Sequence, residues 1–482
     1  MDSAPELEKD KSQDLASRFP TAYSILFLLI ILMAGLTWIM PAGKFDREMN
    51  EAVGREVAVA GTYHEVEPNP QGIVEVMLAP GAGFYDPDSY VANAIDVALF
   101  VLFLGGFLGV VNATGAIDTG IRSAMVHLKG HEIWMIPILM SLFAIGGTTY
   151  GMAEETLAFY ALLIPVMMAA GYDSVTGVAI ILVGAVIGVL GSTINPFATV
   201  IAANAAGIPF TDGIIPRFVI LLGGLVICIA YVMVYAHRVK RDPSRSAVAK
   251  QFEEHKAFFL KRQEAEEHSD HLTGIQSVVL VLFAVTFAVM IWGVSSQGWW
   301  MAQMGALFLG AAIVIGVIAR LGEKGLTNHF VDGARELLGV ALVVGLARGI
   351  VVIMENGLIA DTMLHSAAQA LDGVGGLAFV NLMFWIEAAM SFLVPSSSGL
   401  AVLSMPILAP LADFAGVGRD LVVTAYQSAN GLVNFINPTF AVVVGGLAIG
   451  RVSYDRWLAF IWPLLLILIL FITVVLSIST LL

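Results

Sequence analysis

Long apolar runs recur along this chain, and several of them are long enough to cross a bilayer. The runs Tyr23–Met40, Phe218–Ala236 and Phe460–Ile478 consist mostly of aliphatic and aromatic residues, and about 20 such residues span the hydrocarbon core. Further runs of the same character lie near residues 95–115, 276–294, 301–319 and 337–354. The pattern predicts an all-α polytopic membrane protein.

Two of the apolar regions are interrupted by the same tripeptide. Ile-Asn-Pro occurs at 194–196 and again, 242 residues later, at 436–438. Proline removes a backbone donor and clashes with the preceding turn, and unpaired backbone groups are costly in lipid. Such a break persists where protein, water or a ligand satisfies the freed groups. The repeated break therefore favours a binding site, with a kinked helix that binds nothing as the alternative.

Polar side chains cluster around both breaks and supply neutral oxygens and amide donors. This chemistry suits a small ion together with a carboxylate-bearing solute. The residues predicted to bind the solute here are Thr193, Asn195, Asn434 and Asn437. The residues predicted to bind a coupling ion are Ser192, Thr199 and Asn430.

The same spacing relates other parts of the chain. The segment "TTYGMAEE" (148–155) falls on "MSFLVPSS" (390–397), and both interrupt apolar runs with small polar residues. Each is followed about ten residues later by a segment ending in proline, "LLIP" or "LSMP". We therefore predict two structural repeats, each with a hairpin and a broken helix.

The number of spans before each hairpin determines how the repeats are related. In the first half of the chain two spans precede the interrupted segment, whereas in the second half three spans precede it. If both segments are re-entrant hairpins, they open from opposite sides of the membrane and the repeats are inverted. The prediction is nine full crossings and two re-entrant hairpins, an arrangement that recurs in secondary transporters.

Adjacent carboxylates, Glu154 and Glu155, lie at the predicted tip of the first hairpin. Charged residues at membrane depth usually mark a substrate, ion or proton path, and neighbouring carboxylates repel each other unless a cation lies between them. A guanidinium, an ammonium group or sodium would relieve that repulsion. Alternatively, one carboxylate faces headgroup water or is protonated in a packing role. Glu387 and Arg348 are predicted either to pair with each other or to contact the solute.

The second predicted tip, "PSSSG" (395–399), contains no acid. Its hydroxyls and the free amides of a helix N-terminus favour a carboxylate. The candidate residues are Ser396, Ser397 and Ser398. Serines that only cap the helix are the alternative. A dicarboxylate would instead hold both ends on serines, asparagines and helix termini.

Basic residues predict the orientation and the domain boundaries. Residues 237–271 contain eight of the 24 basic residues and are placed in the cytoplasm. Residues 43–93 contain three basic and nine acidic residues, which predicts an outer segment with a small strand-bearing flap. The predicted divisions are a cytoplasmic tail 1–20, a first transmembrane repeat 21–236, a cytoplasmic linker 237–273 and a second transmembrane half 274–482.

Composition and motifs exclude several protein classes. Only 13% of the residues are charged and the mean hydropathy is +0.85, whereas soluble proteins carry about 25% charged residues. The net charge of −14 argues against a nucleic-acid partner. HExxH, GxSxG and Walker motifs are absent, so neither an enzyme nor an ATP-driven pump is expected. The single cysteine, Cys228, provides neither a disulfide framework nor a metal site. A channel is the distant alternative.

The segments "GMAEETLAFYALLIPVMMAAGYDSVTG" and "GSTINPFATVIAANAAGI", with "GTYHEVEPNPQG" in the outer segment, resemble the anaerobic C4-dicarboxylate carrier family of the ion transporter superfamily. The resemblance covers nearly the whole chain from about residue 20, and the motif around Glu154 and Glu155 is similar to a branch described as basic amino acid antiporters. It implies elevator-type movement of a transport domain against a scaffold, and it allows a homodimer.

The expected protein is a secondary active transporter in the cytoplasmic membrane of a bacterium or archaeon, with its N-terminus in the cytoplasm. The first expectation for its solute is a basic amino acid such as arginine, ornithine or lysine, taken up or exchanged. A C4-dicarboxylate carrier coupled to sodium or protons is the alternative. No cofactor is expected apart from a coupling sodium ion or proton, and the expected partners are the small-molecule solute and membrane lipid.

Overall fold

The computed structural model describes residues 22–52, 55–85, 94–117, 119–120, 132–264, 273–297, 299 and 301–481. Across these ranges the chain is almost entirely helical, which confirms the predicted all-α class. Eight helices of the described part are long and apolar enough to cross a membrane. The predicted tail 1–20 and the last part of the linker lie outside the described residues.

The first half of the chain contains eight described α-helices before the linker. They are α1 Ala22–Leu36, α2 Ile73–Tyr85, α3 Ala94–Ala113, α4 Met135–Tyr150, α5 Leu157–Ala169, α6 Ser174–Leu190, α7 Ile201–Ala206 and α8 Ile214–Arg241. A π-helical turn, Pro196–Val200, leads into α7. Short 3-10 turns lie at Glu132–Trp134 and Glu154–Thr156.

One helix lies in the linker and ten follow it. They are α9 Phe252–Glu264, α10 Gly274–Gln297, α11 Met301–Ile318, α12 Gly322–Glu336, α13 Leu338–Asn356, α14 Ala360–Leu371, α15 Gly376–Leu393, α16 Ser397–Phe414, α17 Arg419–Val433, α18 Ala441–Ile449 and α19 Tyr454–Leu481. The linker also has 3-10 turns at Pro243–Arg245 and Ala249–Gln251.

The predicted flap is present as two small antiparallel sheets. Its strands are β1 Gly43–Lys44, paired with β4 His64–Glu65, and β2 Arg47–Asn50, paired with β3 Arg55–Ala58. Arg47 anchors the flap to α14 through a 3.0 Å ion pair with the buried Asp361. The ring of Tyr63 stacks on His365, with 3.9 Å between the ring centroids.

The order of helices after α3 repeats after α13. Helices α4 and α5 form the first hairpin, and α15 and α16 form the second. The first broken helix is α6 with α7, and the second is α17 with α18. Each repeat then ends in a helix of 28 residues, α8 or α19. Three of the eight long apolar helices, α4, α15 and α16, are therefore hairpin arms rather than full crossings.

Contacts at the helix ends confirm that the repeats are inverted. The first hairpin begins on the linker side, where Lys240 at the end of α8 donates to Glu132 at 3.4 Å. The first broken helix ends at the flap, because Asn204 Nδ2 donates to Ala52 O at 3.2 Å. The second broken helix begins there, since Arg419 donates to the carbonyl at the end of α7. The same elements of the two halves thus run in opposite directions.

We call α1–α3 and α10–α13 the scaffold and the hairpins, broken helices, α8 and α19 the transport core. Glycines allow close crossings in the scaffold, as in other membrane helix pairs. A Cβ on Gly109 of α3 would lie 2.3 Å from His329 O of α12, and a Cβ on Gly349 of α13 would lie 2.9 Å from Ala79 O of α2. The two glycines are 240 residues apart in the sequence. In each crossing the long helix before a hairpin, α3 or α13, packs against a shorter helix, α12 or α2.

Helices α2 and α12 were not predicted from the sequence, because α2 falls in the predicted outer segment and α12 lies between two predicted spans. Both are short, and both pack on scaffold helices through these glycines.

The described part of the linker packs against the transport core. Ser246 donates to Asp173 at 2.6 Å, and His255 of α9 lies 3.0 Å from the hydroxyl of Ser174. Arg451, after α18, pairs with Glu254 at 3.3 Å. The linker therefore contacts both repeats.

Candidate functional site

A cavity of about 190 Å³ lies where the two hairpin tips, the two breaks and α13 meet. It is smaller than the roughly 300–1,000 Å³ of sites for drug-sized ligands, so it suits a small metabolite. Apolar side chains of α3, α6 and α13 form part of its wall. The polar lining residues are Glu154, Asn195, Arg348, Ser396, Ser397, Ser398, Asn434 and Thr439.

The first tip gives its two carboxylates different surroundings. Helix α4 stops at Gly151, whose left-handed backbone (φ 74°) glycine adopts without a Cβ clash. Glu155 turns back onto its own loop, is 4% exposed and accepts a hydrogen bond from Ala153 N at 2.9 Å. Glu154 lines the cavity instead. The cavity therefore faces one carboxylate, with the second behind it.

The second tip presents the N-terminus of α16 to the cavity. The side chain of Ser396 caps this helix by accepting a hydrogen bond from Gly399 N at 3.2 Å. Ser396, Ser397 and Ser398 also line the cavity. Ser396 thus both caps α16 and lines the cavity. The free amides of the first turn carry partial positive charge, which favours an anionic group there.

Arg348 of α13 brings a positive charge into the cavity. It has no hydrogen bond or ion pair with a described residue. Arg348 and Ser396 also line a larger cavity of about 840 Å³ beneath the flap, together with Lys44 and Asp361. Arg348 and Ser396 therefore lie between the inner cavity and this larger cavity, which we call the vestibule.

The predicted pairing of Glu387 with Arg348 is wrong. Glu387 of α15 is completely buried, and neither of its carboxyl oxygens has a hydrogen-bond partner. Arg348 lies on α13 and faces the two cavities instead. Sequence alone did not reveal this separation, because both residues fall in the middle of apolar spans.

The asparagines of the two breaks make matching hydrogen bonds. Asn195 Nδ2 donates to Gly147 O at 3.4 Å, and Asn437 Nδ2 donates to Ser391 O at 3.1 Å. In each case the acceptor lies in the first arm of the hairpin of the same half. The backbone amides that donate to the two side-chain oxygens are those of Ala198 and Thr439. Each asparagine thus ties its break to its hairpin and satisfies groups near the proline.

Around the first break, the polar residues bond mainly to one another. The hydroxyls of Ser192 and Thr199 lie 2.7 Å apart, and Thr199 donates to the side chain of Gln427 on α17. Gln427 in turn donates to Ser192 O at 2.7 Å. Thr193 lies 3.1 Å from the hydroxyl of Thr148 in the first hairpin. This network joins the first break to both the first hairpin and the second broken helix.

The second break leaves acceptors beside the cavity. Asn430 donates to the hydroxyl of Ser391 at 3.2 Å, and Asn434 donates to Asn430 at 3.3 Å. Asn434 Oδ1 and Thr439 Oγ1 are buried and have no hydrogen-bond partner among the described residues. Both residues line the cavity, and these two oxygens lie just behind its surface.

The structure divides the twelve predicted site residues into two groups. Those that line the cavity are Glu154, Asn195, Ser396, Ser397, Ser398 and Asn434. Those that lie in the surrounding networks are Glu155, Thr193, Asn437, Ser192, Thr199 and Asn430.

Sequence reasoning missed four contributors to the site. Thr439, which lines the cavity, and Gln427 resembled ordinary polar residues in apolar regions. Thr148 and Ser391 lie in the first arms of the two hairpins, and each bonds to a side chain of the broken helix in its own half. The 242-residue spacing between the two breaks pairs Ser391 with Thr149 instead, so the repeat alone could not have identified Thr148 and Ser391 together.

Comparison with known proteins gives a family match over almost the whole chain. The model of a family described as "C4-dicarboxylate anaerobic carrier" matches residues 19–481. An uncharacterised Haemophilus influenzae protein is 37% identical over 93% of this chain and 94% of its own length. An Escherichia coli protein named "Putative basic amino acid antiporter YfcC" is 34% identical over 91% of this chain and 92% of its own length.

Two solved structures are similar at a lower level. The Alcanivorax borkumensis YdaH transporter is 14% identical, with a TM-score of 0.41, over 95% of this chain and 98% of its own. Neisseria gonorrhoeae MtrF, described within a class of antimetabolite efflux pumps, is 15% identical, with a TM-score of 0.41, over 98% and 97%. Similarity at this level does not define the architecture of the present chain, which rests on its own contacts.

Proposed function

The chain belongs to the C4-dicarboxylate anaerobic carrier family and is a secondary transporter, and we propose that its solute is a basic amino acid. The observation that carries this proposal is the polarity of the inner cavity. Glu154 lies at one hairpin tip, and the three serines lie at the other. A basic amino acid has a carboxylate for the serine tip and a cationic side chain for the acidic tip.

Formal charges also favour a cationic solute. Glu154 and Glu155 each carry one negative charge when ionised, and Arg348 carries one positive charge, so the three side chains leave one negative charge in excess. A basic amino acid, with one net positive charge, neutralises it. A dicarboxylate would add two more negative charges to the same site. Uncompensated charge is costly in a low-dielectric cavity.

We assign the carboxylate of the solute to the N-terminus of α16 and to Arg348. Their joint lining of the inner cavity and of the vestibule supports this assignment. Asn195, Asn434 and Thr439 would contact the uncharged and ammonium parts of the solute. The assignment of Ser192, Thr199 and Asn430 to a coupling ion stays a prediction, because their side chains are bonded within the protein.

A C4-dicarboxylate remains the second candidate, supported by the family description and by two features of the cavity. Arg348 has no partner among the described residues, and the serine tip suits a second carboxylate. In that case Glu154 would be protonated or would hold a coupling cation.

We further propose that the linker side faces the cytoplasm of a bacterial or archaeal inner membrane and that transport is of the elevator type. The position of the cavity between α13 of the scaffold and the transport core supports such movement. Single cysteines at Ala249 and Gly416 test the orientation. Ala249 should react from the cytoplasm only and Gly416 from outside only, whereas the opposite labelling would refute it.

Counterflow in proteoliposomes tests the solute. Vesicles containing the purified protein are loaded with unlabelled arginine, ornithine, lysine, aspartate or succinate, and uptake of labelled arginine is followed. We expect uptake driven by the three basic amino acids, because a carrier exchanges solutes through one shared site. Absence of labelled arginine uptake under all loadings, together with uptake of labelled succinate into succinate-loaded vesicles, would replace the proposal with the dicarboxylate carrier.

A further inference from the structure

Glu387 is a buried acid that the proposed site does not use. It lies on α15, two turns before the second hairpin tip, and is completely buried. Neither of its carboxyl oxygens has a hydrogen-bond partner among the described residues. An ionisable group at membrane depth is expensive and usually functional.

The hydroxyls beside Glu387 are already committed as donors. The hydroxyl of Ser404 on α16 is near its carboxyl group, and Tyr426 on α17 interacts with it electrostatically. Ser404 Oγ donates to Leu400 O at 2.9 Å, and the hydroxyl of Tyr426 donates to Ser397 O. A hydroxyl has one hydrogen to donate, so while these two bonds are kept neither hydroxyl donates to a carboxylate at Glu387. Only a protonated carboxyl group can use an acceptor.

The elements packed around Glu387 provide no charge to neutralise it. The facing parts of α16 (398–412) and α19 (457–481) contain no titratable residue. The facing part of α17 (421–433) contains only Tyr426. On α14 the acid Asp361 is paired with Arg47 of the flap, and His365 stacks on Tyr63. An ionised Glu387 would therefore be an unpaired buried charge.

A metal cation fits this place less well than a proton. Hard cations need several oxygen ligands, and the described residues contain no group of three or more His, Cys, Asp or Glu that could hold a metal ion. We propose that Glu387 binds the proton that couples transport to the proton gradient. This inference rests on the proposed transport function and concerns its coupling rather than its solute.

The hydrogen bonds connect this proton to the solute cavity. If Glu387 loses its proton, the carboxylate needs donors, and the hydroxyls of Ser404 and Tyr426 are candidates. Turning toward Glu387 would release the carbonyls of Leu400 and Ser397. Ser397 lines the solute cavity at the first turn of α16. Proton loss thus alters the tip that we assign to the carboxylate of the solute.

Infrared difference spectroscopy tests the proton without reference to any solute. The full-length protein in lipid is titrated, and the carbonyl stretch of a protonated carboxyl group is compared between wild type, Glu387→Gln and Glu323→Gln. Glu323 is an exposed acid on α12 and serves as the matched control. We expect Glu387→Gln to remove a band present at neutral pH and Glu323→Gln to leave it. If no band is lost in Glu387→Gln, the proposal is overturned.

Transport assays then test the coupling. Labelled arginine and labelled succinate are offered separately, and the solute that wild type carries is used. One coupled proton supports about tenfold accumulation per pH unit. Glu387→Gln, which resembles the protonated acid, should retain counterflow but lose this accumulation, and Glu387→Asp should recover part of it.

Accumulation by Glu387→Gln at the wild-type level, or accumulation driven by sodium and not by pH, would overturn the inference. If wild type carries neither solute, the proposed function fails separately, and the infrared result alone decides whether Glu387 holds a proton.

Discussion

The two hairpin tips share a backbone plan and differ in chemistry. Each follows a membrane-buried arm, and each faces an Ile-Asn-Pro break whose asparagine donates to that arm. The first tip ends in two acids, and only Glu154 lines the cavity. The second ends in three serines and a capped helix N-terminus.

This difference distinguishes the features that the backbone requires from those that the solute requires. Duplication explains the matched hydrogen bonds, because both breaks face the same problem of freed backbone groups. It does not explain acids on one side and serines on the other. A solute with two unlike ends would need such an asymmetric site, whereas a symmetric dicarboxylate would not. The following changes are ranked by the size of the effect that we expect.

The largest effect should come from Glu154→Gln. Removing one partner of a desolvated charge contact costs about 2–5 kcal/mol, or roughly 30-fold to several thousand-fold in affinity. Glu155→Gln should weaken the affinity for arginine less, because its carboxylate is bonded to Ala153 N and does not line the cavity. Thermal-shift titrations with arginine would measure both. Equal losses in the two variants would contradict the division between the carboxylates.

Substitutions of the two asparagines should distinguish a role in solute binding from a purely structural role. Asn195→Ala and Asn437→Ala each leave a buried carbonyl unpaired, which costs about 1–3 kcal/mol of stability. Only Asn195 lines the cavity, so Asn195→Ala should also weaken the affinity for the solute. Melting temperatures and arginine affinity, measured on the same preparations, test this. A normal affinity in Asn195→Ala would assign its break to structure alone.

Alanine substitutions at the two glycine crossings should lower thermal stability by different amounts. In Gly109→Ala the new Cβ would lie 2.3 Å from a carbonyl oxygen of α12, compared with 2.9 Å from one of α2 in Gly349→Ala. Overpacking costs about 1–3 kcal/mol, and the tighter crossing should lose more thermal stability. Gly310→Ala is the control, because its added Cβ meets nothing within 4 Å. A Gly109→Ala protein as stable as this control would show that the helices separate easily.

The smallest expected effect is a pH dependence of stability that arises in the linker, where His255 contacts Ser174 of the first repeat. Burial, with the nearby positive charge of Arg451, lowers the pKa of His255. The unfolded chain therefore binds this proton more readily, and stability falls as pH drops through about 6.5 and below. We expect a fall in Tm of about 1–2 °C that is absent in His255→Gln. The same pH dependence in both proteins would exclude His255 as its cause.

Much of the architecture could be predicted because its signals repeat. The tripeptide at 194–196 and 436–438 and the count of preceding spans determined the inverted repeats. Helices α2 and α12 could not be predicted in this way, because each is short and depends on a glycine crossing with a distant helix. The site was predicted in part. Glu154 and the serines were identified by their chemistry, whereas Thr439 and Gln427 became evident only from three-dimensional contacts.

The most direct test of the central claim compares arginine with citrulline, which has nearly the same shape and lacks the positive charge. Equilibrium binding is measured for wild type, Glu154→Gln and Glu155→Gln. If Glu154 recognises the cationic end, wild type prefers arginine strongly, Glu154→Gln loses most of that preference, and Glu155→Gln keeps more of it. Equal binding of arginine and citrulline by wild type, or an unchanged preference in Glu154→Gln, would contradict the account.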